Sequence, residues 1–494
     1  SIYPGLNSSV GFNNFWMASL HDGSVLTNKV SSQSPTFNAS ALGSAGSMTA
    51  GSGVVVLLKE GEAVGDGRYA NNGWLQELPK PMTKIVWDNF AAISPDTGKE
   101  LGLKSNDVIK LTVNGSSVNM PVFIVPGAAD NQVTIELGYG RTVAGTVGSG
   151  VGVDVNVLMS KAPALTTWLY NNASIEKTGD TYELVSTVEH YNIEEEKYKD
   201  IQFRRHIIEE GTVKQYKEHP EFLRERTKKL NEEDNFPSIT GQEFKYEGVK
   251  WAMAVDLNKC IGCGECIIAC NVENNIPVVG KDQVANSREM MWLRLDRYYS
   301  GSVQNPRSSF QLMLCQQCDF APCENVCPVK ATVHTDDGLN GMAYNRCVGT
   351  RYCANNCPYK VRRFNYFNFR GIFKDGYQYQ EPLNQMSNPE VTVRSRGVME
   401  KCTFCIQRIM HARQIAVQEG REIKGTDVTT ACQDACGTDA IVFGDMNDKE
   451  SVLSKYRNHE LGYTVLDSLK VRPNVTYIAK LRNTEEEITE EKSH

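Results

Sequence analysis

The chain has 494 residues, of which 40% are hydrophobic, and a formal net charge of -7. This length exceeds the usual size of one hydrophobic core, so we expect two or three domains. The acidic balance argues against a general nucleic-acid binder, which would carry a basic excess. No apolar run approaches the roughly 20 residues that a membrane helix needs. The longest one is Val54 to Leu58.

Residues 1–160 contain no cysteine and are rich in Gly, Ser, Val and Asn, a composition typical of strands and loops. The clearest local pattern is Val108 to Val113, then the pair Asn114-Gly115, then the apolar segment Ser116 to Val125. Asn-Gly is favoured in a two-residue type I′ turn, so this segment predicts a β-hairpin.

A helix, a strand and a glycine-rich run are also indicated in this region. Ser94-Pro95 predicts a helix N-cap followed by Pro at the first helical position, with Gly102 as the stop, and Val133 to Leu137 predicts a strand. A phosphate cradle is one interpretation of the glycines that follow, but neither GxxxxGK nor a helical pattern accompanies them, which favours tight turns. These glycines are Gly138, Gly140, Gly145, Gly148, Gly150 and Gly152.

The rest of the chain divides by composition into three parts. Residues 161–245 are charged and helix-prone, and we expect a helical linker that wraps another surface with solvated charges. A cysteine-rich domain is expected at 246–445. Residues 446–494 are expected to form a C-terminal tail, whose acidic end, Glu485 to Glu491, we expect to be mobile.

All fifteen cysteines lie in four runs within the cysteine-rich domain expected at 246–445. Three of these runs repeat, with small variations, the spacing by which bacterial-type ferredoxins hold a cubane of iron and sulfide. The third run is one thiol short, and Thr350 stands where its second thiol is expected. The runs are Cys260, Cys263, Cys266, Cys270; Cys315, Cys318, Cys323, Cys327; Cys347, Cys353, Cys357; and Cys402, Cys405, Cys432, Cys436.

In a two-cluster ferredoxin the first three thiols of a run hold one cubane and the fourth reaches the other. Pairing the outer runs with each other, and the inner runs with each other, gives four ligand sets that use every cysteine. Group I is Cys260, Cys263, Cys266 and Cys436, group II is Cys270, Cys402, Cys405 and Cys432, group III is Cys315, Cys318, Cys323 and Cys357, and group IV is Cys327, Cys347 and Cys353. Groups I to III predict three 4Fe-4S clusters. Group IV, with Thr350 at its vacant corner, predicts a 3Fe-4S cluster.

Other interpretations of these cysteines fit less well. Structural zinc needs four ligands per tetrahedral site, and the runs put too many sulfurs too close together. A radical enzyme that cleaves S-adenosylmethionine needs a lone CxxxCxxC, which the sequence lacks. The Thr350 hydroxyl could instead bind iron and complete a fourth cubane, although an alkoxide is a weak match for ferrous iron.

Basic and aromatic residues alternate in the segment Tyr359 to Phe367, after the third run. Single-stranded nucleic acid is one possible partner of such a pattern. The favoured interpretation is that buried anionic clusters need cations nearby and aromatic rings to exclude water. Arg394, Arg396 and Lys401 are predicted to serve the same purpose. We find no catalytic triad, paired-carboxylate motif or nucleotide fingerprint, so no catalytic residue is predicted.

Residues 250–445 resemble the four-cluster iron-sulfur subunit of the molybdopterin oxidoreductase superfamily, through CIGCGECIIAC, CQQCDFAPCENVCP, CVGTRYCANNCPYKVRRFN and RGVMEKCTFCIQRI. Residues 70–160 are similar to the C-terminal β-barrel domain of the molybdopterin-binding catalytic chain, through GWLQELPKPMTKIVWDNFAAISP, ELGLKSNDVIKLTV and ELGYGR. The two pieces fused in one polypeptide resemble the iron-sulfur subunit of alternative complex III, a bacterial menaquinol-oxidising complex. GDTYEL and RHIIEEGTVKQYKEHPEF resemble the connector of that family.

The resemblance implies an α+β fold with a β-barrel-rich molybdopterin-oxidoreductase-like domain at 1–160, without molybdopterin on this chain, and a double ferredoxin-like domain at 246–445. It implies an electron-transfer subunit with three 4Fe-4S clusters and one 3Fe-4S cluster. The implied partners are a polytopic quinol-binding membrane subunit, multihaem and monohaem cytochrome c subunits, and a terminal oxidase, with no nucleic acid. The alternative is the iron-sulfur part of a molybdopterin reductase such as polysulfide or tetrathionate reductase.

The resemblance also implies a location at the periplasmic face of the bacterial inner membrane, where the clusters require export in the folded state. The sequence starts at Ser1, and its first thirty residues contain neither a twin-arginine pair nor an apolar signal core. We therefore expect that a leader has been removed or that the sequence is part of a longer polypeptide.

Overall fold

The structure is a computed structural model that describes residues 11–23, 53–159, 168–187, 201–225, 245–369 and 383–484. The chain divides into two compact units, residues 1–50 and 51–494. In the first unit the described element is helix α1, Phe12–Asp22, which ends at Gly23 in the left-handed conformation that glycine adopts without strain.

The N-terminal part of the second unit is a sheet of six strands. The strands are β1 Val54–Lys59, β2 Ala91–Ile93, β3 Asp107–Val113, β4 Ser116–Ile124, β5 Gln132–Glu136 and β6 Leu169–Thr181. Their hydrogen-bonded order is β1-β5-β2-β4-β3-β6, and β6 also pairs with β1, so the strands close into a barrel. Its core consists of inward-facing apolar side chains such as Val56, Ile109 and Val133, which are fully buried.

The predicted local elements of this region are present. β3 and β4 form an antiparallel hairpin around Asn114-Gly115, and both turn residues have positive φ as a type I′ turn requires. Three short helices connect the strands: α2 Gly73–Glu77, α3 Pro95–Glu100 and α4 Gly145–Gly148. The Ser94 hydroxyl caps α3 by accepting a hydrogen bond from the Thr97 amide, and Pro95 occupies the first turn.

The glycine-rich run forms bends and the short helix α4, so the prediction of turns alone is partly wrong, and close packing explains one of its glycines in particular. Gly140 has φ +75°, and a Cβ at this position would lie 1.9 Å from the backbone nitrogen of Asp154. Only glycine fits this approach of two backbones. The run therefore lets the chain pass close to itself after β5.

The predicted boundary at residue 160 and the helical character of the linker are partly wrong. β6 lies inside the predicted linker, yet it pairs with β1 and β3 and completes the barrel. Later in the linker, helices α5 Ile201–Arg204 and α6 Val213–Glu218 flank strand β7, Glu210–Thr212. A strand that closes a barrel draws its partners from distant parts of the chain, so a local charge pattern does not indicate it. Residues 188–200 and 226–244 of the linker lie outside the described residues.

The cysteine domain combines one four-stranded sheet with several two-stranded ones. Its strands are β8 Trp251–Asp256, β9 Arg294–Gly301, β10 Pro306–Met313, β11 Thr332–His334, β12 Asn340–Met342, β13 Arg363–Phe364, β14 Met399–Glu400, β15 Ile441–Asp445, β16 Gly462–Tyr463, β17 Val475–Ile478 and β18 Lys480–Arg482. The four-stranded sheet has the order β15-β8-β17-β16. β8 at its centre is almost wholly buried, which fits its continuous apolar sequence.

Helices of four to thirteen residues lie between these strands. They are α7 Glu265–Glu273, α8 Lys281–Ala285, α9 Pro322–Asn325, α10 Tyr352–Asn355, α11 Ile406–Gln418, α12 Ala431–Asp434 and α13 Val452–Arg457. Four of them, α7, α9, α10 and α12, each carry at least one cysteine. These helices set the positions of the thiols.

The interpretation of 446–494 as a separate tail is wrong for its described part. β17 runs parallel to β8 with Val475 opposite Met253, and β18 runs parallel to β7. Arg482 donates to the Glu210 carboxylate at 2.7 Å, which holds the end of this segment against strand β7 of the predicted linker. The acidic stretch 485–491, predicted to be mobile, lies outside the described residues.

The barrel region and the cysteine domain contact each other through the segment around α2. The Glu77 carboxylate accepts hydrogen bonds from the amides of Val279 and Gly280, at 3.1 and 2.8 Å. Leu78 packs against Gly264, where a Cβ would lie 3.1 Å from its Cδ1. Gly264 lies in the first cysteine run, so the barrel region supports the loop that carries group I.

Candidate metal centre

The fifteen cysteines are all described, and all of them are free thiols. Their loops contain residues in the left-handed conformation that turn the backbone sharply between one thiol and the next. Gly262 has φ +78°, and a Cβ there would lie 2.9 Å from the Phe310 ring. Gly349 has φ +74°, and a Cβ there would lie 2.5 Å from the Gly397 carbonyl oxygen. Glycine is therefore required at both positions by backbone conformation and by space.

The four thiols of group III surround one cavity. The cavity has a volume of about 320 Å³, and its lining includes Cys315, Cys318, Cys323 and Cys357. Cys323 lies on α9, while Cys357 comes from the third run, so the lining joins two runs as the sequence predicts. Burial raises the pKa of Cys318 well above its usual value, and the neighbouring thiol of Cys315 raises it further.

Group II surrounds a second cavity of about 250 Å³, lined by Cys270, Cys402, Cys405 and Cys432 together with apolar side chains such as Phe404. Cys270 reaches it from α7, far along the sequence from the other three. Burial raises the pKa of the Cys270 thiol well above its usual value, and Cys402 contributes in the same direction. A site that keeps four buried thiols together among apolar side chains favours a cationic guest that binds thiolate.

Group IV surrounds a third cavity, of about 290 Å³, which is lined by Cys327, Cys347, Cys353 and Thr350. Thr350 therefore lies at the cavity where the predicted fourth thiol is missing. Whether its hydroxyl binds a metal stays a prediction.

Group I lies nearest to solvent. Cys263 is exposed, and the side chain of Ile261 in the same loop is 65% exposed. Burial raises the pKa of Cys260, and the thiols of Cys263 and Cys436 raise it further, which places the three sulfurs close together. Cys266 completes the group from α7.

Electrostatic influences link neighbouring groups in the order I, II, III, IV. Burial raises the pKa of Cys266 in group I, and Cys432 of group II raises it further. Burial and Cys432 raise the pKa of Cys402 in group II, and Cys315 of group III adds to this shift. Arg362 hydrogen-bonds Cys323 of group III and contacts Thr332, which lines the cavity of group IV.

Several thiols accept hydrogen bonds, mostly from residues just after them in the sequence. Such contacts stabilise negative charge on sulfur and tune the reduction potential of an iron-sulfur cluster. They are Ala331 N to Cys327 at 3.1 Å, Ala440 N to Cys436 at 3.3 Å, Ala431 N to Cys405 at 3.5 Å, and Asn274 Nδ2 to Cys270 at 3.5 Å. The Thr430 hydroxyl also lies 3.3 Å from the Cys432 sulfur.

The cations predicted to lie near the thiols are mostly buried. Arg362 is 6% exposed, Arg394 is 3% exposed, and Lys401 is fully buried. Lys401 donates to the Cys402 carbonyl at 3.0 Å, and Arg394 pairs with Glu400 at 2.8 Å. Arg396 is instead exposed, and its predicted role near the clusters stays a prediction.

The burial of Arg362 and Arg363 bears on the nucleic-acid interpretation of the segment 359–367. Both guanidinium groups point into the protein, where Arg363 pairs with Glu289 at 2.7 Å. A phosphate backbone needs cations at the surface. The two arginines therefore supply positive charge inside the protein and not at its surface, as the favoured interpretation expects.

One cavity was not predicted from the sequence. It has a volume of about 370 Å³, lies between the barrel region and the cysteine domain, and is lined by Lys84, Arg294, Glu289 and Arg363 among apolar side chains. Burial lowers the pKa of Lys84 from 10.5 to about 7. No local pattern marks Lys84, since its surroundings come from residues about 200 positions later in the sequence.

The donor sets fit iron-sulfur clusters. In the described part of the chain no three Cys, His, Asp or Glu side chains are placed to hold a single metal ion. The thiols of groups II, III and IV instead line three cavities. A cube of iron and sulfide needs thiolates around a space in this way.

Among the described residues, no helix is both long and apolar enough to cross a membrane.

Comparisons with known proteins agree with this geometry. A family model described as a 4Fe-4S dicluster domain matches residues 252–331. The menaquinone reductase iron-sulfur cluster-binding subunit of Nitratidesulfovibrio vulgaris is 36% identical over 242 residues, which are 48% of this chain and 91% of that protein. The Hdr-like menaquinol oxidoreductase iron-sulfur subunit 1 of Archaeoglobus fulgidus is 33% identical over 49% of this chain and 88% of its own length.

A polysulfide reductase subunit of Wolinella succinogenes is 29% identical over 47% of this chain and 96% of its own length. The printed functions of these relatives fit a chain with many thiols placed for iron-sulfur clusters. The first two are iron-sulfur subunits, and the third is a subunit of a reductase. The chain therefore belongs to the family of iron-sulfur, electron-transfer subunits of menaquinol and molybdopterin oxidoreductases.

Proposed function

We propose that this chain is the electron-transfer subunit of a respiratory menaquinol-oxidising complex of the alternative complex III type. One observation carries the proposal: thiols from separate cysteine runs line three cavities of one domain, which are the cavities of groups II, III and IV. A series of redox centres is what a protein needs in order to carry electrons between two partners.

Groups I, II and III would each hold a 4Fe-4S cluster with four thiolates, and group IV would hold a 3Fe-4S cluster with three. When bound, such clusters accept and donate one electron at a time. The chain contributes the thiolates, the amides that hydrogen-bond sulfur, and apolar side chains such as Phe404 and Val361 that exclude water from the cavities. These features set the reduction potentials.

The proposed partners follow from the two ends of the series. Group IV, with the more oxidising type of cluster, would face a quinol-binding polytopic membrane subunit. Cytochrome c subunits and a terminal oxidase would be acceptors, at the periplasmic face of the membrane. The exposed side chains of Val348 and Tyr352 beside group IV support a partner at that end, since they are 63% and 55% exposed.

A second candidate is the iron-sulfur part of a molybdopterin reductase, in which electrons flow towards a substrate. The similarity to the polysulfide reductase subunit and to a tetrathionate reductase subunit of Salmonella typhimurium favours it. Under both candidates the thiols hold clusters that carry electrons. The two candidates differ in the barrel region, which we propose to be molybdopterin-oxidoreductase-like without a cofactor on this chain.

The two candidates share the prediction that this chain holds iron-sulfur clusters. Iron and acid-labile sulfide analysis of the anaerobically purified protein tests that prediction. We expect about fifteen iron atoms per chain, and fewer than about a dozen would contradict the proposed series. Molybdenum analysis of the intact complex separates the two candidates. Stoichiometric molybdenum with a bound pterin would exclude the first, whereas menaquinol-dependent reduction of the clusters without molybdenum would support it.

A further inference from the structure

Arg362 lies between two groups of thiols. It lies just before β13, and its side chain is directed into the domain, with the residue only 6% exposed. Its Nη2 donates to the sulfur of Cys323 at 3.1 Å, in group III. On the other side of the guanidinium, Nη1 contacts Thr332 and Met342, two residues that line the cavity of group IV. A single guanidinium therefore lies between the cavities of groups III and IV.

The remaining contacts of Arg362 are with neutral groups. Nη1 donates to Thr332 Oγ1 at 3.1 Å, and Nη2 donates to Asn340 Oδ1 at 2.9 Å. Among the described residues no carboxylate forms an ion pair with it, whereas the next residue, Arg363, pairs with Glu289 at 2.7 Å. A buried cation needs a counter-charge. For Arg362 that charge comes from the thiolates of groups III and IV.

The position of the guanidinium lets its charge act on both groups. Nη2 is within hydrogen-bonding distance of a group III sulfur, and Nη1 contacts a side chain that lines the group IV cavity. A positive charge at this position stabilises negative charge on both groups.

We propose that Arg362 is a positioning residue that supplies the shared counter-charge of groups III and IV and raises the reduction potentials of both. The inference rests on the proposed function. Reduction adds negative charge, and a cation that hydrogen-bonds a ligand sulfur stabilises the reduced form more than the oxidised form. Because one side chain reaches both groups, a change at this residue alters both potentials together.

The test is a redox titration of the full chain, followed by electron paramagnetic resonance, with the clusters in place. In Arg362→Gln we expect two of the four potentials to fall, one of them that of the 3Fe-4S signal. The potentials of groups I and II should stay unchanged. The matched control is the double variant Arg363→Gln with Glu289→Gln, which removes the neighbouring buried guanidinium and its partner but no hydrogen bond to sulfur. None of its four potentials should fall.

Arg362→Lys decides the outcome if the Gln variant loses iron. Lysine keeps the charge, but its ammonium lacks the planar fork that reaches both groups, so the same two potentials should fall by less. A fall confined to one potential, or unchanged potentials with full iron content in either variant, would overturn the proposal. Wild-type protein without clusters would instead refute the proposed function, before Arg362 is tested.

Discussion

At the scale of single residues, the structure shows how much depends on whether a buried charge has a partner. Lys80 and Lys84 lie four residues apart and are 6% and 2% exposed. Lys80 pairs with Glu136 at 2.8 Å and hydrogen-bonds Tyr139, so its pKa is raised although burial alone would lower it. For Lys84 burial prevails, and its pKa falls to about 7.

Lys84→Met should stabilise the protein at neutral pH. The folded-state pKa of Lys84 is about 7 against 10.5 for the free side chain, so the unfolded state binds more protons between these values. Wild-type stability therefore rises with pH across this window, and the penalty is largest below about pH 7. We expect a gain of about 1–3 kcal/mol at pH 6.5 that shrinks towards pH 10. The measurement is the anaerobic urea midpoint at both pH values.

Lys80→Met is the control for that prediction. It removes one partner of a buried ion pair and leaves Glu136 without its closest cation, so it should destabilise the protein by about 3–5 kcal/mol. If both variants were stabilising, or both destabilising, ion pairing would not be what separates the two lysines.

We predict that Thr350 decides the type of the fourth cluster. Thr350→Cys supplies the missing thiolate at the group IV cavity, so a 4Fe-4S cluster should replace the 3Fe-4S cluster and have a lower potential. The resonance of the oxidised 3Fe-4S centre should then disappear. Thr350→Ser keeps a hydroxyl and should keep the resonance. An identical spectrum in the Cys variant would refute the ligand assignment of group IV.

At the scale of elements, the first cysteine run consists of a loop with left-handed residues followed by a short helix. Gly262 and Gly264 have positive φ, and α7 follows with Cys266 and Cys270. The loop therefore directs some thiols to one group, and the helix directs its last thiol to the next. This division explains how one run of sequence contributes thiols to two groups.

Gly262→Ala should damage group I specifically. A Cβ there would lie 2.9 Å from the Phe310 ring in a backbone conformation that alanine adopts with strain. We expect the purified protein to hold about four fewer iron atoms and to melt at a lower temperature. Gly102→Ala has similar strain, with φ +63°, but open space around the new Cβ. It should cost about 1 kcal/mol and keep all the iron.

The local elements could be predicted from the sequence because their causes are local. Asn114-Gly115 defines its own turn, Ser94 caps its own helix, and the spacing of cysteines within a run determines which thiols can share a cavity. The role of β6 in the barrel has no such local cause. Arg362 was predicted to be a buried cation near the clusters, but the sequence does not reveal that it spans two groups.

At the scale of the whole molecule, the barrel region and the cysteine domain are joined through a buried carboxylate. Glu77 is 3% exposed, and it accepts hydrogen bonds from two amides of the other region and from Trp87 Nε1 at 3.3 Å. Burial raises its pKa from 4.5 to about 7, although these hydrogen bonds oppose the shift. The contact is therefore sensitive to pH in the physiological range.

Glu77→Gln should remove a pH dependence of stability. Between pH 4.5 and about 7 the folded protein binds a proton that the unfolded state has lost, so wild-type stability falls as the pH rises through this window. A glutamine oxygen can still accept the amide hydrogen bonds. We expect the variant to match the wild type near pH 5 and to exceed it by about 2 kcal/mol at pH 8. Parallel unfolding midpoints of the two proteins across this range would contradict the assignment.

The parallel pairing of β8 with β17 has a consequence for biogenesis. β8 precedes the first cysteine, and β17 follows the last one. During translation the two strands cannot meet until the ribosome has synthesised nearly the whole domain. Under the ligand set that we propose for group I, Cys260 and Cys436 hold one cluster, so group I has the same requirement. We therefore expect the cluster of group I to be inserted only after nearly the whole domain has been synthesised, and not while the nascent polypeptide is still emerging.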